Sequence, residues 1–266
     1  MTPIERRKEK YGYEIDGLWM PRVTAITSIV LTDHLLQYYA RHRSFSDVKD
    51  RLLKSASWGT RLHSAIASIL RGEQQLEDPE IAPSLEAFLR WKNEYQVRII
   101  SPKSHIEKRV MDRESWYAGT VDMVVEVNGV RGVLDIKTGN GIWETYSLQT
   151  AAYLRAYNQQ EKEKCETRWI LRIDQYRECL GCLAQNREKD GRSSVRGGER
   201  FCNHQWGLMV GATEFQRLDN QKEDIEAFLA AKELWEWCNR DWISRVPNHP
   251  KQLRNRPEVS NMLNRS

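Results

Sequence analysis

No apolar run in the 266 residues approaches the ~20 that a membrane-spanning helix needs. The mean hydropathy is −0.70, and the chain is expected to be soluble. Behind the charged opening M-T-P-I-E-R-R-K-E-K no apolar core of a secretory signal is visible, so a cytoplasmic, intracellular protein is expected. Cysteine is scarce. The five residues are odd in number and fall between 165 and 238, so a disulfide framework is excluded in favour of metal ligation or free thiols. Charge of one sign is lacking too. The net charge is only +4, so any nucleic-acid contact must rest on a local basic surface. No internal repeat is present.

What the chain does contain is a succession of helical and extended periods. Tyr11 to Met20 alternates about Asp16-Gly17 and predicts an N-terminal hairpin within residues 1–22. Ile26, Ile29, Val30, Leu35 and Leu36 recur near 3.6 and predict a core helix over 24–39. A second amphipathic helix spans 57–70, its start marked by Gly59-Thr60 and its apolar face carrying Leu62, Ile66, Ile69 and Leu70. A third covers 82–95. From Val97 the period becomes that of strands, with His105, Glu107 and Arg109 expected on one face.

The stretch G-T-V-D-M-V-V-E-V-N-G-V-R-G-V-L-D-I-K-T-G, residues 119–139, reads as two apolar strands turned at Asn128-Gly129. Asp122 lies on the first strand. Asp135 and Lys137, two apart at the end of the second, project from the same face. A helix follows, and Gln149 and Tyr153, four apart on it, share one side. Two carboxylates that can share a hard divalent cation, beside a lysine that can hold a water or a phosphate oxygen, suit a metal-dependent phosphodiester-cleaving site.

This order of motifs, G-x-x-D, D-x-K and Q-x-x-x-Y, resembles the PD-(D/E)XK nuclease superfamily in its RecB-like branch, which includes CRISPR-associated exonucleases. Upstream, Gly59-Thr60-Arg61-Leu62-His63 resembles the G-T-x-x-H segment of the branch, P-R-V-T resembles its opening segment, and Glu107 matches its acidic strand residue. The resemblance covers roughly residues 20–175. It implies an α/β core with a mixed central sheet flanked by helices. It implies Mg²⁺ or Mn²⁺ held by His63, Asp122, Asp135 and the carbonyl of Ile136. Asp122, Asp135, Lys137, Glu107, Gln149 and Tyr153 are then the catalytic set. Lys137 would position water and stabilise the transition state, and Gln149 and Tyr153 would position the strand. The implied activity is a DNA exonuclease of recombination, repair or replication, with partner proteins in such a complex. The competing class is an inactive nuclease fold serving as a DNA-binding or assembly subunit.

Beyond the alternating strand Arg168 to Tyr176 comes Cys179-x-x-Cys182, and after a basic, Gly-containing loop Cys202-x-His204. Four such ligands suit a structural Zn²⁺. Some members of the branch carry an iron–sulfur cluster on one cysteine before the core and three after it. Here no cysteine precedes Cys165, which leaves Cys165, Cys179, Cys182 and Cys202 as the rival thiolate set. The loop is expected to offer Arg187, Arg192 and Arg196 to a DNA backbone. The expected organisation is therefore a hairpin (1–22), a nuclease core (23–176), a metal-stapled insertion (177–206), a return strand with a long C-terminal helix (207–247) and a mobile tail (248–266).

Overall fold

The computed structural model describes residues 1–30, 40, 45–73, 78–189 and 192–250. Its first element is set by a cap. The Thr2 hydroxyl accepts from the Glu5 amide while the Glu5 carboxylate accepts from the Thr2 amide, a capping box ahead of α1 (Pro3–Tyr11). This helix was not expected. It buries none of its residues, so no apolar period announces it and only the T-x-x-E signature does. The expected hairpin follows as β1 (Gly12–Ile15) and β2 (Leu18–Pro21), turned at Asp16-Gly17.

α2 (Val23–Thr27) ends at Ser28, so the helix predicted over 24–39 stops early within the described residues, and Leu35 and Leu36 lie outside them. α3 (Phe45–Arg71) is 27 residues long, and Gly59-Thr60 lies inside it rather than at its start. The glycine answers a packing need. A Cβ there would stand 2.9 Å from Thr138 Oγ1, so residue 59 must be bare for the helix to lie against the loop after Lys137.

α4 (Ala82–Glu94), β3 (Arg98–Ile99), α5 (Pro102–His105) and β4 (Ile106–Asp112) lead into the predicted hairpin, β5 (Tyr117–Val127) and β6 (Val130–Lys137). Asn128 and Gly129 take φ of 51° and 80°, the turn geometry that suits the twist of the two strands. α6 (Glu144–Gln160) then crosses over to β7 (Thr167–Cys179), which runs parallel to β6. After β8 (Gln185–Lys189) and β9 (Arg192–Arg196), β10 (Trp206–Leu218) returns antiparallel along the other edge of β7. The chain closes on α7 (Gln221–Cys238) and α8 (Arg240–Ile243), two helices where one was predicted.

The result is a mixed α/β fold, an eight-stranded mixed sheet flanked by helices. β5 and β6 are buried on both faces, which is why they read as apolar runs. Val121, Val124 and Val133 face α2, α6 and α7, whereas Met123, Val125, Leu134 and Ile136 face α3 and α4. Burial of each such side chain contributes about 1.5–3 kcal/mol. Trp235 and Trp242 anchor the C-terminal helices on Trp19 and Tyr11, with Trp19 and Trp242 5.4 Å apart edge to face. Among the described residues no helix is long and apolar enough to cross a membrane.

Candidate functional site

The parallel pairing of β6 with β7 ends at Lys137, and there the sheet opens into a cleft of ≈ 280 Å³. Seven of the predicted residues line it: His63 from α3, Asp122 from β5, Asp135, Ile136 and Lys137 from β6, and Gln149 and Tyr153 from α6. The Lys137 ammonium lies 2.7 Å from Asp135 Oδ2 and donates to Gln149 Oε1 at 2.9 Å. The Gln149 amide in turn donates to Asp135 Oδ1 and to the Tyr153 hydroxyl, both at 3.0 Å. Gln149 thus locks the carboxylate and the ammonium to each other. Asp122 Oδ2 accepts from the Ile136 amide at 2.7 Å, and Asp122 Oδ1 faces His63 Nδ1 at 3.6 Å. Ile136 itself lines the cleft.

Gly119 makes room for this arrangement. A Cβ at 119 would stand 2.3 Å from the Tyr153 ring, so the G-x-x-D glycine is needed for the tyrosine to lie against β5. Sequence reasoning missed Tyr146, whose ring centroid lies 4.5 Å from the Lys137 ammonium. The signal was present, since Tyr146 precedes Gln149 by three and shares its helix face.

Glu107 departs from expectation. Its φ of 51° breaks the alternation of β4, so it does not share a face with His105 and Arg109. Its carboxylate pairs with Arg71 at 3.1 Å, while the residue borders a smaller adjoining hollow with His63, Asp122 and Ile136.

Burial pushes Asp135 up to about 6, and the Asp122 charge adds to that against the pull of Lys137. Burial also opposes the charge on Asp122, but His63, Lys137 and the Ile136 amide outweigh it, and its pKa falls below the usual range. Burial opposes the ammonium of Lys137 as well, yet Asp135 and Asp122 hold it above its ordinary value. Lys137 is therefore a cation and not a base at neutral pH. Burial and the two carboxylates keep Tyr153 protonated.

Two hard carboxylates and an imidazole, with the buried Asp135 Oδ2 held by the Lys137 ammonium, are a donor set that suits a hard divalent cation. Their ligand atoms are spread more widely than those of a closed metal site. Among the described residues, the one set of His, Cys, Asp or Glu whose ligand atoms all lie within 4.8 Å of one another is Cys179, Cys182, Cys202 and His204.

That cluster forms where β7 passes into the C-x-x-C turn and the chain re-enters β10. Cys179 Sγ lies 3.8 Å from Cys202 Sγ, and Cys182 Sγ lies 3.3 Å from His204 Nδ1. The Cys179 and Cys202 sulfurs are too far apart for a disulfide, and all five cysteines are free. The amide of Cys182 is the main cause that brings the Cys179 thiol down to about 6. The neighbouring Cys182 and Cys179 thiols, together with burial, push Cys202 up to about 12. Cys165 is not part of the set. It is buried in the core beneath α6, so the four-thiolate alternative is not assembled.

The basic hairpin above the cluster is turned differently from expectation. Arg187 points inward, its Nε 2.6 Å from Asp174 Oδ2, and is not presented to solvent. Asp174 also holds Arg172 at 2.8 Å and Lys189 at 3.0 Å. Lys189 donates to the Thr138 carbonyl at 2.8 Å, so the hairpin is hooked to the loop that follows the cleft. Arg196 is exposed on β9, and the backbone of Arg192 stands opposite that of Lys189 in the β8–β9 ladder. No family model matches the chain, and no curated protein matches it.

Proposed function

We propose that the protein is a metal-dependent deoxyribonuclease that hydrolyses phosphodiester bonds from the ends of DNA, as a PD-(D/E)XK nuclease of the RecB-like branch working in recombination, repair or replication. The observation that carries this reading is the linkage of motif residues from two elements, Asp135, Lys137, Gln149 and Tyr153, into one hydrogen-bonded unit beside Asp122 and His63. Solvated surface pairs have no need of such a set, because each of these contacts demands burial and mutual alignment.

Asp122, Asp135, His63 and the Ile136 carbonyl would hold Mg²⁺ or Mn²⁺, which supplies a water of lowered pKa and charge neutralisation at the scissile phosphate. Lys137 stays protonated and hydrogen-bonds the developing phosphorane oxygen or the attacking water. Gln149 keeps that ammonium and the Asp135 carboxylate in register. Tyr153, protonated throughout, supports Gln149 and the entering strand. Water adds to phosphorus, and the bond to the departing sugar oxygen breaks.

Cys179, Cys182, Cys202 and His204 are read as a structural Zn²⁺ site. Tetrahedral Zn–S bonds of about 2.3 Å place sulfurs about 3.8 Å apart, which is the spacing of Cys179 and Cys202.

The test is incubation of end-labelled linear and circular single-stranded DNA with the protein in Mn²⁺, in Mg²⁺ and in EDTA. Linear DNA should be consumed, circles spared and EDTA inhibitory, and Asp135→Asn should abolish turnover. Cleavage of neither substrate in either metal would overturn the nuclease reading in favour of an inactive nuclease-fold subunit. Cutting of circles would overturn only the requirement for an end.

A further inference from the structure

Two cations at Tyr13 are left unused by the hydrolysis above: Arg22, which lines the cleft, and Arg109, which stacks on the same ring. Tyr13 of β1 lines the cleft together with Arg22, Thr24 and Thr120, so the N-terminal hairpin forms one wall of it. The Arg22 guanidinium carbon lies 4.4 Å from the Tyr13 ring centroid, and that of Arg109, from β4, lies 3.6 Å from it. One aromatic ring therefore holds two like charges. Arg22 is fixed by backbone carbonyls, donating from Nε to Gly12 O at 3.2 Å and from Nη2 to Glu9 O at 2.7 Å. Neither contact neutralises it.

Arg109 is exposed and opposite Thr120 in the strand ladder. Its stacking on Tyr13 is its one described interaction among the described residues. Its fork of N–H donors is pre-aligned by the stack and unspent. Two guanidinium groups that flank one ring, neither with a carboxylate ion pair among the described residues, fit an anion with several oxygens. The floor of the same cleft is acidic, so a phosphate-bearing strand entering it needs a cationic wall.

We infer that Arg22 and Arg109, stacked on Tyr13, clamp a backbone phosphate of the substrate strand next to the one that is cleaved. Thr24 and Thr120 line the same cleft. The identity of the strand as DNA rests on the nuclease reading; the anion site rests on the stack alone. The clamp holds and orients substrate and touches no reacting atom. Arg109 is the residue to test, because its exposure leaves the fold independent of it, while Arg22 also ties β1 and α1 together.

Binding of a short fluorescent oligothymidylate in EDTA, followed by anisotropy over a range of salt, separates the contributions without turnover. Arg109→Gln should weaken binding about fivefold and make the log–log salt slope shallower by about 0.7, as for the loss of one phosphate contact on a single strand. Tyr13→Leu, which removes the platform and leaves both charges, should weaken binding with a smaller change in slope. The melting temperature of Arg109→Gln should match the wild type. If Arg109→Gln binds with wild-type affinity and slope while the wild type cleaves DNA, the clamp is wrong and the nuclease reading stands. If the wild type cleaves no DNA but takes up inorganic pyrophosphate in a calorimetric titration that Arg109→Gln abolishes, the anion site stands and the nuclease reading falls. If the wild type binds neither oligothymidylate nor pyrophosphate, the clamp is overturned.

Discussion

Asp135 is 2% exposed, and Lys137 and Gln149 hold its carboxylate by direct contacts, whereas Cys179 and Cys202 face each other sulfur to sulfur at 3.8 Å. Beneath the cleft lie Leu134, Ile136 and Leu171, all buried; around the Cys/His cluster Leu180, Leu183 and Phe201 are 73%, 68% and 90% exposed. One region takes its shape from the sheet and would use a metal for chemistry. The other has so little apolar support that a metal would supply its shape. The two should therefore respond in opposite ways to loss of a side chain and loss of an ion.

The largest effect is expected at Lys137. Lys137→Met should cut the cleavage rate by about a thousandfold or more, roughly 4 kcal/mol of transition-state stabilisation, while zinc content holds and the protein stays folded. Single-turnover kinetics with metal analysis of the same sample checks both halves. A variant at the wild-type rate would remove Lys137 from the site.

Cys182→Ser should reverse the pattern. Elemental analysis of protein purified without added metal should find near-stoichiometric zinc in the wild type and none in the variant. Limited proteolysis should then cut within 183–200, yet turnover of a saturating short substrate should change by less than about threefold. Zinc retained in the variant, or lost without new cleavage, would contradict a metal-built knuckle; iron instead of zinc would contradict the assignment of the ion.

Gly119→Ala probes the scaffold of the cleft. The added Cβ would stand 2.3 Å from the Tyr153 ring, so strand or tyrosine must shift. We expect about 1–3 kcal/mol of destabilisation in denaturant, together with reduced turnover and an unchanged zinc content.

A further effect, seen only as a pH dependence, lies at the seam between the regions. Burial, with Arg187 and Arg172 nearby, brings Lys189 down to about 8 from its ordinary 10.5 despite Asp174. Between those values the unfolded chain binds the proton that the folded one has released, so stability should rise with pH across the window, by at most about 3 kcal/mol in all. Lys189→Met should flatten that rise. Urea melts of both proteins at intervals from pH 7 to pH 10 would measure it, and parallel curves would rule out the depressed ammonium.

Local signals carried much of the architecture. The apolar runs of β5, β6 and β7, the Asn128-Gly129 turn and the i, i+4 pairing of Gln149 and Tyr153 are each legible from neighbours in the chain, because period and turn chemistry are local properties. The failures are local patterns overruled from a distance. Gly59 looks like a helix start but serves contact with Thr138, which lies far along the chain. Glu107 fits an alternating strand, but its positive φ turns it towards Arg71. α1 buries nothing and so left no hydrophobic trace.

The sequence by itself determined the donor types and their grouping along the chain: D-x-K two apart on one strand, C-x-x-C and C-x-H at the two ends of a loop. Spacing within one element fixes which side chains share a face. Only the tertiary structure decided which of these meet. It brought His63 to Asp122, drew Cys179 against Cys202 while leaving Cys165 in the core, turned Arg187 inward to Asp174, and stacked Arg22 and Arg109 on Tyr13 at the cleft rim. Each of those contacts joins separate elements of the fold, and their approach is set by how helices and sheet bury their apolar faces, a property of the whole chain that no short window of it contains.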